Sequence, residues 1–196
     1  MTFHQASEPR LTDMTDGDTG AAAPYTEATR ARLVTAYEAY ELADLARAAV
    51  PIGEHELNPD GTVHSPGSVL ADAARVLRAA HRFFEAAAVF ERLGGASWQL
   101  IGDALDIAPQ TARVRFAMAE TRFREELLSP EVTGSTGADG EVSWWRAYMA
   151  REPLEAALDL DDWVLRHEDG DSDLGTAPVS GGLVRMDPRR RAEQHS

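Results

Sequence analysis

The sequence predicts an all-α fold: a helical hairpin, a helix-turn-helix, and a C-terminal helical appendage, with disordered termini. Three observations carry this. Apolar residues recur at three- and four-residue spacings over long stretches. No segment shows convincing two-residue alternation. Gly, Pro, Ser and Asp gather at the breaks between periodic stretches.

Residues 1–24 are rich in Thr, Asp, Gly and Ala without periodicity and read as a disordered tail. The helical domain, 25–128, follows. From Thr26 to Val50, Leu33, Ala36, Tyr40, Ala43 and Val50 line one stripe, Thr26 suits an N-cap, and Pro51 stops the run. Residues 51–67 hold three Pro and three Gly, with Asn58-Pro59-Asp60-Gly61 as a turn signal. From Ser68 to Leu93, Val69, Ala73, Val76, Ala80, Phe83, Ala87 and Phe90 alternate spacings of four and three, a coiled-coil-like seam. Leu70, Leu77 and Phe84 widen it, and Gly94-Gly95 ends the helix. Two uses of helix 68–93 stay open: packing against helix 26–50, and a homodimer contact with a second copy.

After Leu128, residues 129–141 read as a Pro/Gly/Ser/Thr linker. Residues 142–168 form an acidic helical segment broken around Pro153, with Trp144, Trp145, Leu154, Leu158, Trp163 and Leu165 as apolar anchors. Neighbouring residues on a helix point about 100° apart, so Trp144 and Trp145 are hard to bury together. One is expected to pack while the other joins a protein partner. Beyond Glu168 the pattern is lost, and 169–196 reads as a second disordered tail.

Composition narrows the function classes. The 196 residues allow one medium domain, or a small one with flexible ends. There is no cysteine, which excludes disulfides, thiol nucleophiles and thiolate zinc sites. No run approaches the roughly 18 apolar residues of a membrane span, and Met1–Arg10 lacks a signal-peptide pattern. A cytoplasmic protein without membrane contact is expected. The net charge of −14 opposes a nucleic-acid partner as a sum, but the acid lies mainly in tails, linkers and the C-terminal helical stretch. All basic residues are Arg.

Several constellations carry no chemistry. Asp169-Gly170-Asp171-Ser172-Asp173 starts like a calcium loop, but Leu174 replaces the required Gly and Ser180 the bidentate Glu. His55 and His64 flank a turn without a third ligand, and His81 reads as a surface residue. Asp159, Asp161 and Asp162 beside Trp163 read as a charged helix face. No nucleotide-binding glycine pattern or nucleophile elbow occurs. No catalytic residue, metal or cofactor is expected.

The informative stretch is 95–116, GASWQLIGDALDIAPQTARVRF. Ser97 caps a short helix ending near Leu105, with Ile101 and Leu105 as its buried edge. Gly102 is small where a second helix can cross. Asp106 can take a left-handed turn position, Ile107 plugs the corner, and Pro109 suits the first position of a new helix. Ala112, Phe116, Ala119, Phe123 and Leu127 give that helix its inner stripe. Two helices joined by so short a turn make a helix-turn-helix, residues 97–128.

These residues resemble the helix-turn-helix of actinobacterial DNA-binding proteins. There Gly-Ala-Ser-Trp precedes Ile-Gly-x-x-Leu and a Gln-x-Ala-x-x-Arg-Phe pattern, here Gly95–Trp98, Ile101–Leu105 and Gln110–Phe116. The segment is more distantly similar to sigma-factor region 4. It departs from the family at Asp106, where Gly is usual, and at Ala108-Pro109, where a capping hydroxyl and an Arg are usual.

The resemblance implies double-stranded DNA as partner, read by helix 109–124, and a transcriptional regulator as the role. Arg113, Arg115, Arg122 and Arg124 stand there against Glu120, for a local charge of +3. Gln110 and Arg113 share an outer face, where Gln reads adenine and Arg reads guanine. Thr111 and Val114 suit a thymine methyl. Arg115 and Arg122 suit phosphates or acidic neighbours. The alternative is a protein-interaction module that keeps the helix-turn-helix only as scaffold. Exposed, contiguous arginines favour DNA; arginines paired with Glu120, Glu125 and Glu126 favour the alternative.

Overall fold

The computed structural model describes residues 25–128, 140–168, 170 and 173–183. Among them are six α-helices and no strand, so the fold is all-α. The helices are α1 (Glu27–Ala48), α2 (Ser68–Leu93), α3 (Trp98–Ala104), α4 (Pro109–Leu128), α5 (Gly140–Arg151) and α6 (Pro153–Arg166). A 3-10 turn at Ser180–Gly182 follows. None of the described helices is long and apolar enough to cross a membrane.

Local chemistry sets the boundaries. The Thr26 side chain accepts the Thr29 N–H at 3.0 Å, Glu27 stands in the first turn and Arg47 in the last, each suited to the helix dipole. α1 ends just before the Val50-Pro51 step, whose proline disfavours helix in the residue before it. In the loop, Gly61 N–H donates to the Asn58 carbonyl at 2.9 Å and Asn58 N–H to that of Thr62 at 2.8 Å, closing the turn read from Asn58–Gly61. α5 and α6 are separate helices, divided at Glu152-Pro153 as the proline requires.

α1 and α2 are an antiparallel pair: Ala31 packs with Val89, and seven residues later Glu38 meets Arg82. The apolar stripe expected on α1, however, belongs elsewhere. Leu33, Ala36 and Tyr40, with Tyr37, pack against Met149, Ala156, Ala157 and Leu160 of α5 and α6. The opposite face, with Ala31, Thr35 and Glu38 buried, meets α2 and α4. Its small and charged residues carry no hydrophobic signal. α1 is therefore covered on two sides.

The C-terminal helices are thus built into the core through α1. Trp145 stacks beside Tyr37, ring centroids 4.8 Å apart, and meets Tyr148 edge-on at 5.3 Å. It is half-buried and packs against the core, as expected of one of the two adjacent tryptophans. The Trp144 side chain lies outside the described residues, as do 129–139 of the expected linker. The tail expected from 169 onward holds a fixed segment. Buried Asp161 of α6 accepts the Val179 N–H at 2.6 Å and the Ser180 N–H at 3.1 Å, and Val179 and Leu183 pack on the α1–α6 core. Residues 1–24 and 184–196 lie outside the description.

α2 also departs from its sequence reading. Ala79, Ala88 and Val89 are its buried residues, Val76, Phe83 and Phe90 of the seam are half-buried, and Val69, Leu70, Ala73 and Leu77 are exposed. Helices α3 and α4 cover only its C-terminal half, where Phe84 and Ala88 join Ile101, Ala112 and Phe116.

Candidate nucleic-acid interface

α3 and α4 are positioned by two successive turns of the same design. At the end of α2, Gly95 takes φ +105°, its N–H donates to the Arg92 carbonyl at 3.1 Å, and Ala96 N–H donates to that of Glu91 at 2.9 Å. At the end of α3, Asp106 takes φ +53°, the Asp106 N–H reaches the Asp103 carbonyl at 3.4 Å, and Ile107 N–H donates to that of Gly102 at 2.9 Å. Both are Schellman closures, which satisfy the last carbonyls of a helix through a left-handed residue. Asp106 is the only non-glycine residue at positive φ among those described.

Gly102 is required by the second turn. A Cβ there would lie 2.7 Å from the Ile107 carbonyl oxygen and 3.2 Å from Pro109 N, so the chain entering α4 passes directly over it. Ser97 caps α3 by accepting the Leu100 N–H at 3.1 Å. α4 opens on Ala108, whose carbonyl accepts the Ala112 N–H at 3.0 Å and whose methyl group can offer no cap.

The inner face of α4 places Ala112, Phe116 and Phe123 in the core, with Phe116 edge-on to Phe84 at 5.4 Å. Glu120 also falls on this face. It is held there by Arg124 at 2.7 Å and Arg92 at 3.6 Å, while Arg92 also lies over the Trp98 ring at 4.6 Å.

All six predicted site residues, Gln110, Thr111, Arg113, Val114, Arg115 and Arg122, are exposed. They do not form one face. At about 100° per residue, Gln110, Arg113 and Val114 lie on one side and the apex of α4, whereas Thr111, Arg115 and Arg122 lie on the other flank. That flank turns toward α2. Arg115 sits over the Phe84 ring at 4.9 Å, and Arg122 borders a small cleft with Arg82, Glu85 and Phe123.

Among the described residues no carboxylate lies within ion-pair reach of Arg113, Arg115 or Arg122. Arg124 differs, since hydrogen bonds to Glu27 and Glu120 raise its pKa above the ordinary value. Glu126 is taken by Arg146 at 3.0 Å. Arg113 and Arg115 of the proposed reading half thus have no acidic partner among the described residues, though Arg115 rests on Phe84, and the ion pairing concentrates toward the C-terminal end of the helix.

The network behind α4 has no apolar period to announce it. Fully buried Glu38 meets Arg82 at 2.9 Å and Arg146 at 3.1 Å, and Arg146 continues to Glu126, joining α1, α2, α4 and α5. Burial lowers the Arg146 pKa, but the Glu126 and Glu38 carboxylates more than offset that and leave it raised. The one sequence signal is position: Glu38 repeats the Ala31 face after two turns.

Comparison with protein-family models, with curated proteins and with solved structures found no match.

Proposed function

We propose that the chain is a cytoplasmic double-stranded-DNA-binding protein, a transcriptional regulator that reads the major groove with the N-terminal half of α4. The observation that carries this is the exposure of Arg113, Arg115 and Arg122 without acidic partners, on a helix held by a tight turn. In such docking the second helix enters the groove by its N-terminal residues. Gln110 and Arg113 then address base edges, and Val114 a thymine methyl. Thr111, Arg115 and Arg122 on the α2-facing flank address backbone phosphates, which position the helix without reading sequence. A single such unit reads few base pairs, so the proposal includes pairing of two copies.

A specific observation favours the second reading, a protein-interaction module using the same scaffold. Val114 and Met118 are each 71% exposed on α4, and exposed apolar side chains grouped with arginine suit a protein surface. Genome-wide DNA co-precipitation with the protein separates the two. Enrichment of discrete sites sharing a sequence supports the reader; recovery no better than an untagged control supports the interaction module.

A further inference from the structure

The segment 177–183, beyond α6, folds back over α1 and leaves a space beneath it. Buried Asp161 of α6 accepts the Val179 and Ser180 N–H groups and the Ser180 hydroxyl. The Gly182 and Leu183 N–H groups close onto the Val179 and Ser180 carbonyls at 3.1 Å each. These bonds fix the segment, so the space under it is preformed. It is a cavity of about 200 Å³, bordered by Thr29, Arg32, Leu33, Ala36, Val179 and Leu183. Spacings of three and four set the four α1 residues on one helix face. Close-packed interiors hold few voids larger than one water, whose share of liquid volume is about 30 Å³. An apolar cavity of about 150 Å³ already takes benzene. The volume under the segment is that of a small organic molecule.

The lining selects among such molecules. Leu33, Ala36, Val179 and Leu183 offer hydrocarbon. The Thr29 hydroxyl is already bonded to that of Thr26 at 2.9 Å. Among the described residues, Arg32 is the one charged side chain on the border and no carboxylate lines it. Arg32 has no ion-pair partner there either. Its guanidinium lies over the Phe90 ring, 5.7 Å from the ring centre. Stacking on a ring face uses none of the in-plane N–H donors, whose fork matches a carboxylate. Asp161 does not compete for Arg32, because its oxygens hold the segment.

We infer that this cavity binds a small organic acid, a carboxylate on an apolar body of about six to eight carbons. The carboxylate meets Arg32, and the body lies against Leu33, Ala36, Val179 and Leu183. Small-molecule sites are mostly apolar with a few placed polar groups, as this one is. It shares no residue with α4, so it stands whether or not α4 reads DNA.

The probe is sodium benzoate, titrated to about 20 mM into the full chain at constant ionic strength and followed by amide NMR shifts. Benzyl alcohol and acetate are the comparators without the charge and without the apolar body. Benzoate should saturate with a Kd of about 1 mM or tighter, within reach of a ligand of about nine non-hydrogen atoms. The shifts should centre on Leu33, Ala36, Val179 and Gly182. Both comparators should bind about tenfold more weakly or worse. Arg32→Ala, at an exposed position, should weaken benzoate about tenfold, as expected for one lost charge-assisted pair. It should leave the weaker benzyl alcohol response unchanged. Absence of a saturable benzoate response overturns the inference. So does a response indifferent to Arg32→Ala, one matched by either comparator, or one whose shifts lie elsewhere on the chain.

Discussion

Glu38 of α1 and Arg146 of α5 form an ion pair at 3.1 Å with the Glu38 side chain wholly shielded from solvent. Through this contact the acidic C-terminal helices are bound to the helices that support α4. Arg146→Met leaves buried Glu38 with Arg82 as its one cation and Glu126 with none, so it should destabilise the fold by about 1–3 kcal/mol. Converting Glu38 to Met as well should recover part of that loss, because the buried carboxylate then held by Arg82 alone is removed and half-buried Arg82 keeps access to solvent. Urea unfolding of the single and double variants measures both.

Truncation after Leu128 follows from the same packing. Sequence composition alone suggests a flexible linker and a separable segment, so that deleting 129–196 would leave a folded core. The structure instead has Leu33 and Tyr37 buried against Met149, Ala156, Ala157 and Leu160. Each large apolar side chain returned to water forfeits about 1.5–3 kcal/mol, against a total stability of about 5–15 kcal/mol. The truncated chain should therefore lose its near-ultraviolet circular dichroism and unfold without a cooperative transition.

Gly102→Ala sets two effects against each other. Alanine is better than glycine in a helix by about 1 kcal/mol, but its Cβ would stand 2.7 Å from a backbone carbonyl that cannot move without the turn. The clash should win, for a net loss of about 1–3 kcal/mol in denaturant unfolding. Asp106→Gly should go the other way. Relief of the left-handed strain, about 1–2 kcal/mol, exceeds the added chain entropy of glycine, about 0.5–1 kcal/mol. A gain of up to about 1 kcal/mol is expected.

Alkaline pH should weaken the fold through Tyr37. Burial first, and then the Glu41 carboxylate that accepts its hydroxyl, push the phenol well above its ordinary value of 10.0. The folded chain then holds this proton more tightly than the unfolded chain does. Its contribution is fully present below pH 10 and is lost as pH rises through the folded-state value. Unfolding free energy should fall above pH 10, and less steeply in Tyr37→Phe.

The fold was legible where one residue class repeats at helical spacing. Helices α1 to α4, their caps at Thr26 and Ser97, the turn at Asp106 and the inner stripe at Ala112, Phe116 and Phe123 all follow from local pattern. What escaped is pairing between distant elements. Leu33 and Tyr40 announce an apolar face but not its partner, and α5–α6, not α2, covers it. Glu38, Arg146 and Asp161 look like solvated charges until burial gives each its partners. For the candidate interface, the exposure of Gln110 and Arg113 follows from helix periodicity. The stacking of Arg115 on Phe84 does not, because it depends on how α2 crosses α4.

The role of α4 is tested most directly by a salt titration of DNA affinity for the parent chain, Arg113→Ala and Arg122→Ala, on matched and scrambled duplexes. The parent should bind with a slope set by its phosphate contacts. Arg122→Ala should reduce that slope by roughly one and weaken all sequences alike. Arg113→Ala should cost about 1–3 kcal/mol on the preferred duplex alone. A parent without affinity at low salt, or folded variants indistinguishable from it, would contradict the assignment of α4 as a DNA reader.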